Sequence, residues 1–120
     1  MSNNLVAPRN RDARLENFAA ELTFAAYGVA LRHGTADSWI RVELALWRAL
    51  AQTVKMWAPE RPPTAHPDEF KAWREGLLVD LTDSAYYVAL EHGIRGSLVE
   101  VESRLDRAFR FVIERRYGVR

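Results

Sequence analysis

Apolar residues recur at three- and four-residue steps in four separate stretches of the chain. Leu15, Phe18, Leu22, Ala26 and Val29 form the first stripe, and Val42, Leu46, Ala49, Leu50 and Thr53 the second. Leu77, Leu81, Ala85 and Val88 form the third, and Val101, Leu105, Ala108 and Val112 the fourth. This spacing keeps returning to one face of a helix, and no stretch alternates with the period of two that a half-buried strand needs. The punctuation agrees. Gly34 and Gly93 each follow a histidine at the end of a stripe, where glycine readily takes the left-handed conformation that closes a helix. Asp37 or Ser38 can cap the second helix, and Ser97 and Glu100 have the spacing of a capping box ahead of the fourth. Pro59 stops the second helix. Pro67-Asp68-Glu69 starts the third, with proline in the first turn and acids at the positive end of the dipole. The pattern predicts helices near 12–33, 38–57, 67–92 and 97–117.

The chain also says nearly the same thing twice. Residues 22–50 align without a gap on residues 81–109, at an offset of 59, with 15 of 29 positions identical. Two copies are too few for a stacked solenoid. Turns of three or four residues force the helices of each copy to lie antiparallel. The expected architecture is therefore all-α: a four-helix bundle made of two duplicated antiparallel helical hairpins with internal pseudo-two-fold symmetry. It occupies a single domain, with repeat 1 at about 12–58, a proline-rich linker at 59–67 and repeat 2 at about 68–117.

Composition narrows the setting. Apolar residues make up 48% and charged residues 28%, which suits a globular chain able to bury a core. A net charge of +1 creates no demand for a nucleic acid or an anionic membrane. The absence of cysteine excludes disulfides, thiolate metal sites and cysteine nucleophiles, and it suits a reducing compartment. The first residues lack the apolar run of a signal peptide, and no run has the length of a membrane span. These features lead to the expectation of a cytoplasmic protein.

Candidate chemistry rests on the polar residues that repeat: Thr23/Thr82, Tyr27/Tyr86, His33/His92, Ser38/Ser97, Glu43/Glu102 and Arg48/Arg107. Hairpin geometry suggests tyrosine–glutamate contacts, Tyr27 with Glu43 and Tyr86 with Glu102. It also suggests acid–arginine contacts, Glu21 with Arg48 and Asp80 with Arg107. In one reading these are structural bonds inside each hairpin, repeated because buried polar groups need partners. In the other, Tyr27, His33, Glu43, Tyr86, His92 and Glu102 bind a ligand or metal. No zinc, di-iron, phosphate-loop or nucleophile-elbow motif is present, so neither an enzyme, a cofactor nor a metal is expected. The arginines of the last helix, Arg104, Arg107, Arg110, Arg115 and Arg116, spread around the helical wheel among Glu100, Glu102, Asp106 and Glu114. That resembles a solvated, salt-bridged surface more than a phosphate-tracking stripe. The Arg9–Arg14 arm is basic but short, and a nucleic-acid accessory role is kept only as a further alternative.

The copies also disagree. Phe24, Leu44, Trp47 and Ala51 in the first stand where Asp83, Ser103, Asp106 and Arg110 stand in the second. The second helix thus carries an extra apolar stripe, Ile40, Leu44, Trp47, Ala51 and Val54, beyond the one it needs for a core. A helix apolar on two sides must be covered on both. Either the hairpins pack asymmetrically and bury this face, another segment folds over it, or a partner covers it. The leading expectation is a small non-catalytic interaction protein that binds a protein partner or itself through Phe24, Ile40, Leu44, Trp47 and Ala51.

Overall fold

In the computed structural model the described backbone covers residues 3–57 and 66–117, and the described side chains begin at Ala13. Four helices account for nearly all of it: α1 (Asn3–His33), α2 (Trp39–Trp57), α3 (Pro67–Glu91) and α4 (Leu98–Tyr117). Most of the proline-rich linker lies outside the described residues, but Pro67 belongs to the first turn of α3, followed by Asp68 and Glu69. The described residues contain no strand, and none of their helices is long and apolar enough to cross a membrane.

Each helix packs on two neighbours. α1 lies against α2 and α4, and α3 lies against the same two, so antiparallel neighbours close a ring around a single core. The predicted stripes supply that core. Leu22, Leu50, Leu81 and Phe109 are wholly buried, one from each helix, with Val42, Leu77, Val101 and Ile113 around them. Positions 59 apart are buried alike: Ala19 and Leu78, Leu22 and Leu81, Ala26 and Ala85, Val42 and Val101, Leu46 and Leu105.

Turn chemistry explains where the helices end. Gly34 and Gly93 have φ of +80° and +68°, a conformation that costs a residue with a Cβ but not glycine. The two turns then hold each other. The backbone N–H of Ala36 donates to the carbonyl of His92 at 3.1 Å, and that of Arg95 donates to the carbonyl of Gly34 at 2.9 Å. Ser38 and Ser97 act as N-caps, their hydroxyls accepting from the N–H groups of Arg41 and Glu100 at 3.4 Å. Glu100 does not complete a capping box, because its carboxylate takes a 2.8 Å bond from Arg104 one turn ahead.

The main departure from expectation is the start of α1, at Asn3 rather than near residue 12. Apolar periodicity begins only at Leu15, so no stripe announces the earlier turns. A nucleated helix needs only one further hydrogen bond per added residue, so the backbone propagates beyond the stretch that the apolar stripe marks.

The core makes a quantitative prediction. Leu50→Ala and Leu81→Ala should each lower unfolding free energy by about 2–5 kcal/mol, because each removes a fully buried side chain from a closed ring. Val99→Ala, at a position 77% exposed, should change it by less than about 0.5 kcal/mol. Urea denaturation of the three variants checks this ordering.

Candidate functional site

Two hollows lie along the outer seam of α1 and α2 and share the Trp47 side chain. The first, about 410 Å³, is lined by Ala20, Thr23, Phe24, Ile40, Leu44 and Trp47, with Glu43 at its edge. The second, about 470 Å³, is lined by Leu15, Ala19, Trp47, Ala51 and Val54 between Glu16 and Lys55. Phe24, Ile40, Leu44, Trp47 and Ala51, the residues expected to meet a partner, therefore lie on one seam. Phe24 and Ile40 are 80% and 78% exposed, Leu44 is 46% exposed, and Trp47 and Ala51 are partly buried against the core. Within the described residues this face is open to solvent. Burial of these side chains in an asymmetric core is not what occurs.

The same seam on the second hairpin is built differently. Leu15, Glu16, Trp47, Ala51 and Lys55 align at the offset of 59 with Arg74, Glu75, Asp106, Arg110 and Glu114. In α3 and α4 these five form one ionic network. Arg110 grips Glu75 through two hydrogen bonds of 2.7 and 3.1 Å and reaches Asp106 at 3.5 Å. Arg74, only 14% exposed, bonds Glu75 at 3.2 Å and Glu114 at 3.5 Å. The hydrogen bonds from Arg110 hold the Glu75 carboxyl below the usual range, despite its partial burial. A closed set of charges covers the α3–α4 seam, and the α1–α2 seam carries apolar hollows in its place. Leu15 was missed as a seam residue because it reads as part of the core stripe. Its alignment with Arg74 was the available signal.

The repeated polar residues do not form the predicted contacts. Tyr27 meets the ring of Trp39 edge-on, with centroids 6.0 Å apart, and not Glu43. Glu43 and Glu102 are exposed, and neither forms a hydrogen bond or ion pair with a described residue; Tyr86 is partly buried against the core. Facing arithmetic in a hairpin gives the level of a residue along the axis but not its angle around the helix, and here the angles diverge. The acid–arginine pairs fail for another reason. Glu21 lies toward α4 and pairs with Arg116 and Arg115 at 3.5 and 3.9 Å, while Asp80 accepts a 2.7 Å bond from the Trp57 indole. Arg48 and Arg107 stay exposed without an acidic partner among the described residues. Neighbours outside the hairpin reached both acids first.

The histidines part company in the same way. His92 lies at the end of α3 with its Nδ1 2.7 Å from Oδ2 of Asp37 in the other hairpin, where an imidazole N–H donates to the carboxylate. Asp37 also accepts from the N–H of Ser38 at 2.7 Å. That backbone bond, then the bond from His92, holds the Asp37 carboxyl below its ordinary value. The counterpart of Asp37 is Gly96, and it sits beside Nδ1 of His33, so close that a Cβ would approach within 2.9 Å. The buried Nε2 of His33 has no protein hydrogen-bond partner among the described residues. His33 and His92 both lie at the end of the bundle where the two turns meet, and Glu43 and Glu102 are exposed on α2 and α4. Among the described residues no three His, Asp or Glu side chains converge as a metal site. The Arg9–Asp12 part of the basic arm lies outside the described side chains.

No family model, curated protein or solved structure matches this chain.

The two depressed carboxyl groups make a pH prediction. Asp37 and Glu75 bind protons less readily folded than unfolded, so their stabilising effect is complete above about pH 4.5 and is lost as pH falls through the native values. Urea midpoints measured from about pH 6 down to about pH 2.5 should fall for the wild type and fall less for Asp37→Asn combined with Glu75→Gln. Equal slopes for the two proteins would remove these groups as the source of acid sensitivity.

Proposed function

We propose that this protein is a small non-catalytic helical interaction module, and that the outer seam of α1 and α2 receives a protein partner or a second copy of the chain. The supporting observation is the contrast at aligned positions: apolar hollows around Trp47 on one hairpin, a closed ionic network around Arg110 on the other. We read the two hairpins as copies of one ancestral unit, related by a pseudo-two-fold axis. In that reading one copy kept, or gained, an apolar outer surface while the other became wet. The setting that suits such a module is the cytoplasm.

The energetics fit a contact of ordinary strength. Burying a side chain such as Phe24, Ile40 or Leu44 contributes about 1.5–3 kcal/mol each when fully covered. Association costs several kcal/mol in lost translational and rotational freedom, so these three alone give a weak contact. The second hollow, with Leu15, Ala51 and Val54 around the shared tryptophan, supplies the rest. Rings at the centre of a patch, ringed by Glu16, Glu43 and Lys55, match the anatomy of an interface with a desolvated centre and a polar rim.

Phe24→Asp tests the proposal with little risk to the fold, since the ring is mostly exposed in the free chain. Forcing a carboxylate into a dry contact should weaken association at least about thirtyfold. Sedimentation of the wild type across a concentration series measures self-association, and a pull-down with the two proteins in parallel measures partner binding. Trp47→Asp should have the same effect, with an added stability loss of about 1–2 kcal/mol from its packing against the core. If Phe24→Asp and the wild type behave identically in both assays, the seam is not an interface.

A further inference from the structure

The adjacent seam, between α1 and α4, carries a second groove of different chemistry. Its register is set by contacts at one end: the rings of Phe18 and Tyr117 meet edge-on with centroids 5.8 Å apart, and Glu21 pairs with Arg115. Continuing along the antiparallel pair by whole turns brings Ala25 to Phe111, Gly28 to Arg107 and Ala108, and Arg32 to Arg104. With Val29, these residues line a groove of about 570 Å³. Its floor is apolar, Phe111 stands 64% exposed at one end, and every charged residue in its lining is an arginine. Arg104 is tied to Glu100, but Arg32 and Arg107 have no acidic partner among the described residues. Arg115 lies over the Phe111 ring at 5.6 Å and extends the line of positive charge.

Gly28 keeps this groove open. A glycine inside a helix weakens it, and no packing demands one here, because an added Cβ would meet nothing within 4 Å. The corresponding positions on α2 and α3 carry different side chains. There Tyr87 aligns with Gly28, Glu91 with Arg32, and Gln52 with Phe111. A tyrosine, 67% exposed, stands in place of the glycine, and an acid stands in place of one of the cations.

We infer that the α1–α4 groove docks an acidic amphipathic helix of a partner protein. Its apolar stripe seats on Ala25, Gly28, Val29 and Ala108 against Phe111, and its flanking carboxylates face Arg32, Arg104 and Arg107. The lining residues on each helix follow the i, i+3, i+4, i+7 spacing, a span of about 10 Å that matches two turns of a docked helix. The groove is a shallow seam, and small ligands favour sites that enclose most of their surface. The apolar floor disfavours a phosphate backbone, which needs cations but no greasy track. Both remain as outcomes of the test.

The probe is a fluorescein-labelled peptide of about four helical turns, with leucines at three- and four-residue spacing and glutamates on the flanks. Its counterpart carries lysine at every glutamate. Fluorescence anisotropy against the full chain should show binding of the acidic peptide, weakening as salt is raised, and none of the lysine peptide. Gly28→Tyr, which borrows the residue of the α2–α3 seam, should weaken binding about tenfold or more. Arg32→Glu with Arg107→Glu, which leaves the floor intact, should weaken it by a similar factor, so the test survives if Gly28→Tyr fails to fold. Phe24→Asp should leave it unchanged, which separates this groove from the α1–α2 seam. The inference is overturned by no binding of the acidic peptide, by equal binding of the lysine peptide, or by wild-type binding in the groove variants. It is equally overturned if a single-stranded oligonucleotide or decanoate binds the groove more tightly than the acidic peptide and loses that binding in the same variants.

Discussion

Each of the four helices has a stripe of apolar side chains to bury, and a single antiparallel pair cannot cover both of its own. A helix hairpin leaves the far side of each stripe in water, at a cost of about 25 cal/mol for every square ångström of apolar surface left exposed. Two hairpins facing one another remove that surface together. Leu22, Leu50, Leu81 and Phe109 meet in the closed interior, one per helix, and none retains contact with solvent. The rest of the structure follows from this ring. The turns must be short, the neighbours antiparallel, and the two turns at one end close enough to exchange the backbone bonds of Ala36 and Arg95.

A core shared equally leaves little room for the hairpins to differ inside. Substitutions there open cavities or create strain, whereas outer positions tolerate charge, rings or nothing at all. Between aligned positions the interior changes in side-chain volume, as at Leu50 and Phe109 or Ala19 and Leu78, whereas exchanges of apolar for charged side chains collect on the seams. Arg74, Glu75, Asp106, Arg110 and Glu114 close the α3–α4 seam with ion pairs. Leu15, Trp47 and Ala51 leave the α1–α2 seam apolar, and Gly28 leaves the α1–α4 seam open over a row of arginines. One interior thus supports several different exteriors, and any binding specificity resides in the exterior.

The end of the bundle shows the same divergence at the scale of single bonds. His92 crosses to Asp37, and this bond ties one turn to the other. On the matching side the aspartate is replaced by Gly96, at φ of +97°, and His33 sits against its bare backbone. A histidine that repeats in sequence therefore has two different environments, one a hydrogen bond to a carboxylate and the other close packing against a glycine backbone. Its repetition alone says nothing of shared chemistry.

The sequence by itself determined the helical period, the ends of α2, α3 and α4 to within about a residue, and the glycine turns, because these depend on local spacing and on φ. It also pointed to the seam around Trp47, since a ring aligned with Asp106 announces a change of environment without any coordinates. Local rules did not reach the early start of α1, which has no apolar stripe to mark it. Nor did they reach the partners of Glu21 and Asp80, or the separation of Tyr27 from Glu43, because those depend on the angle of each side chain about its axis and on α4 and α2 arriving from elsewhere in the chain. The α1–α4 groove is the clearest case. Arg32 and Arg104 stand far apart in sequence and belong to different hairpins, and only the closing of the ring brings them to one groove. Local structure is a matter of nearest-neighbour sterics and periodicity, while a seam between hairpins exists only once the apolar stripes have been buried against each other.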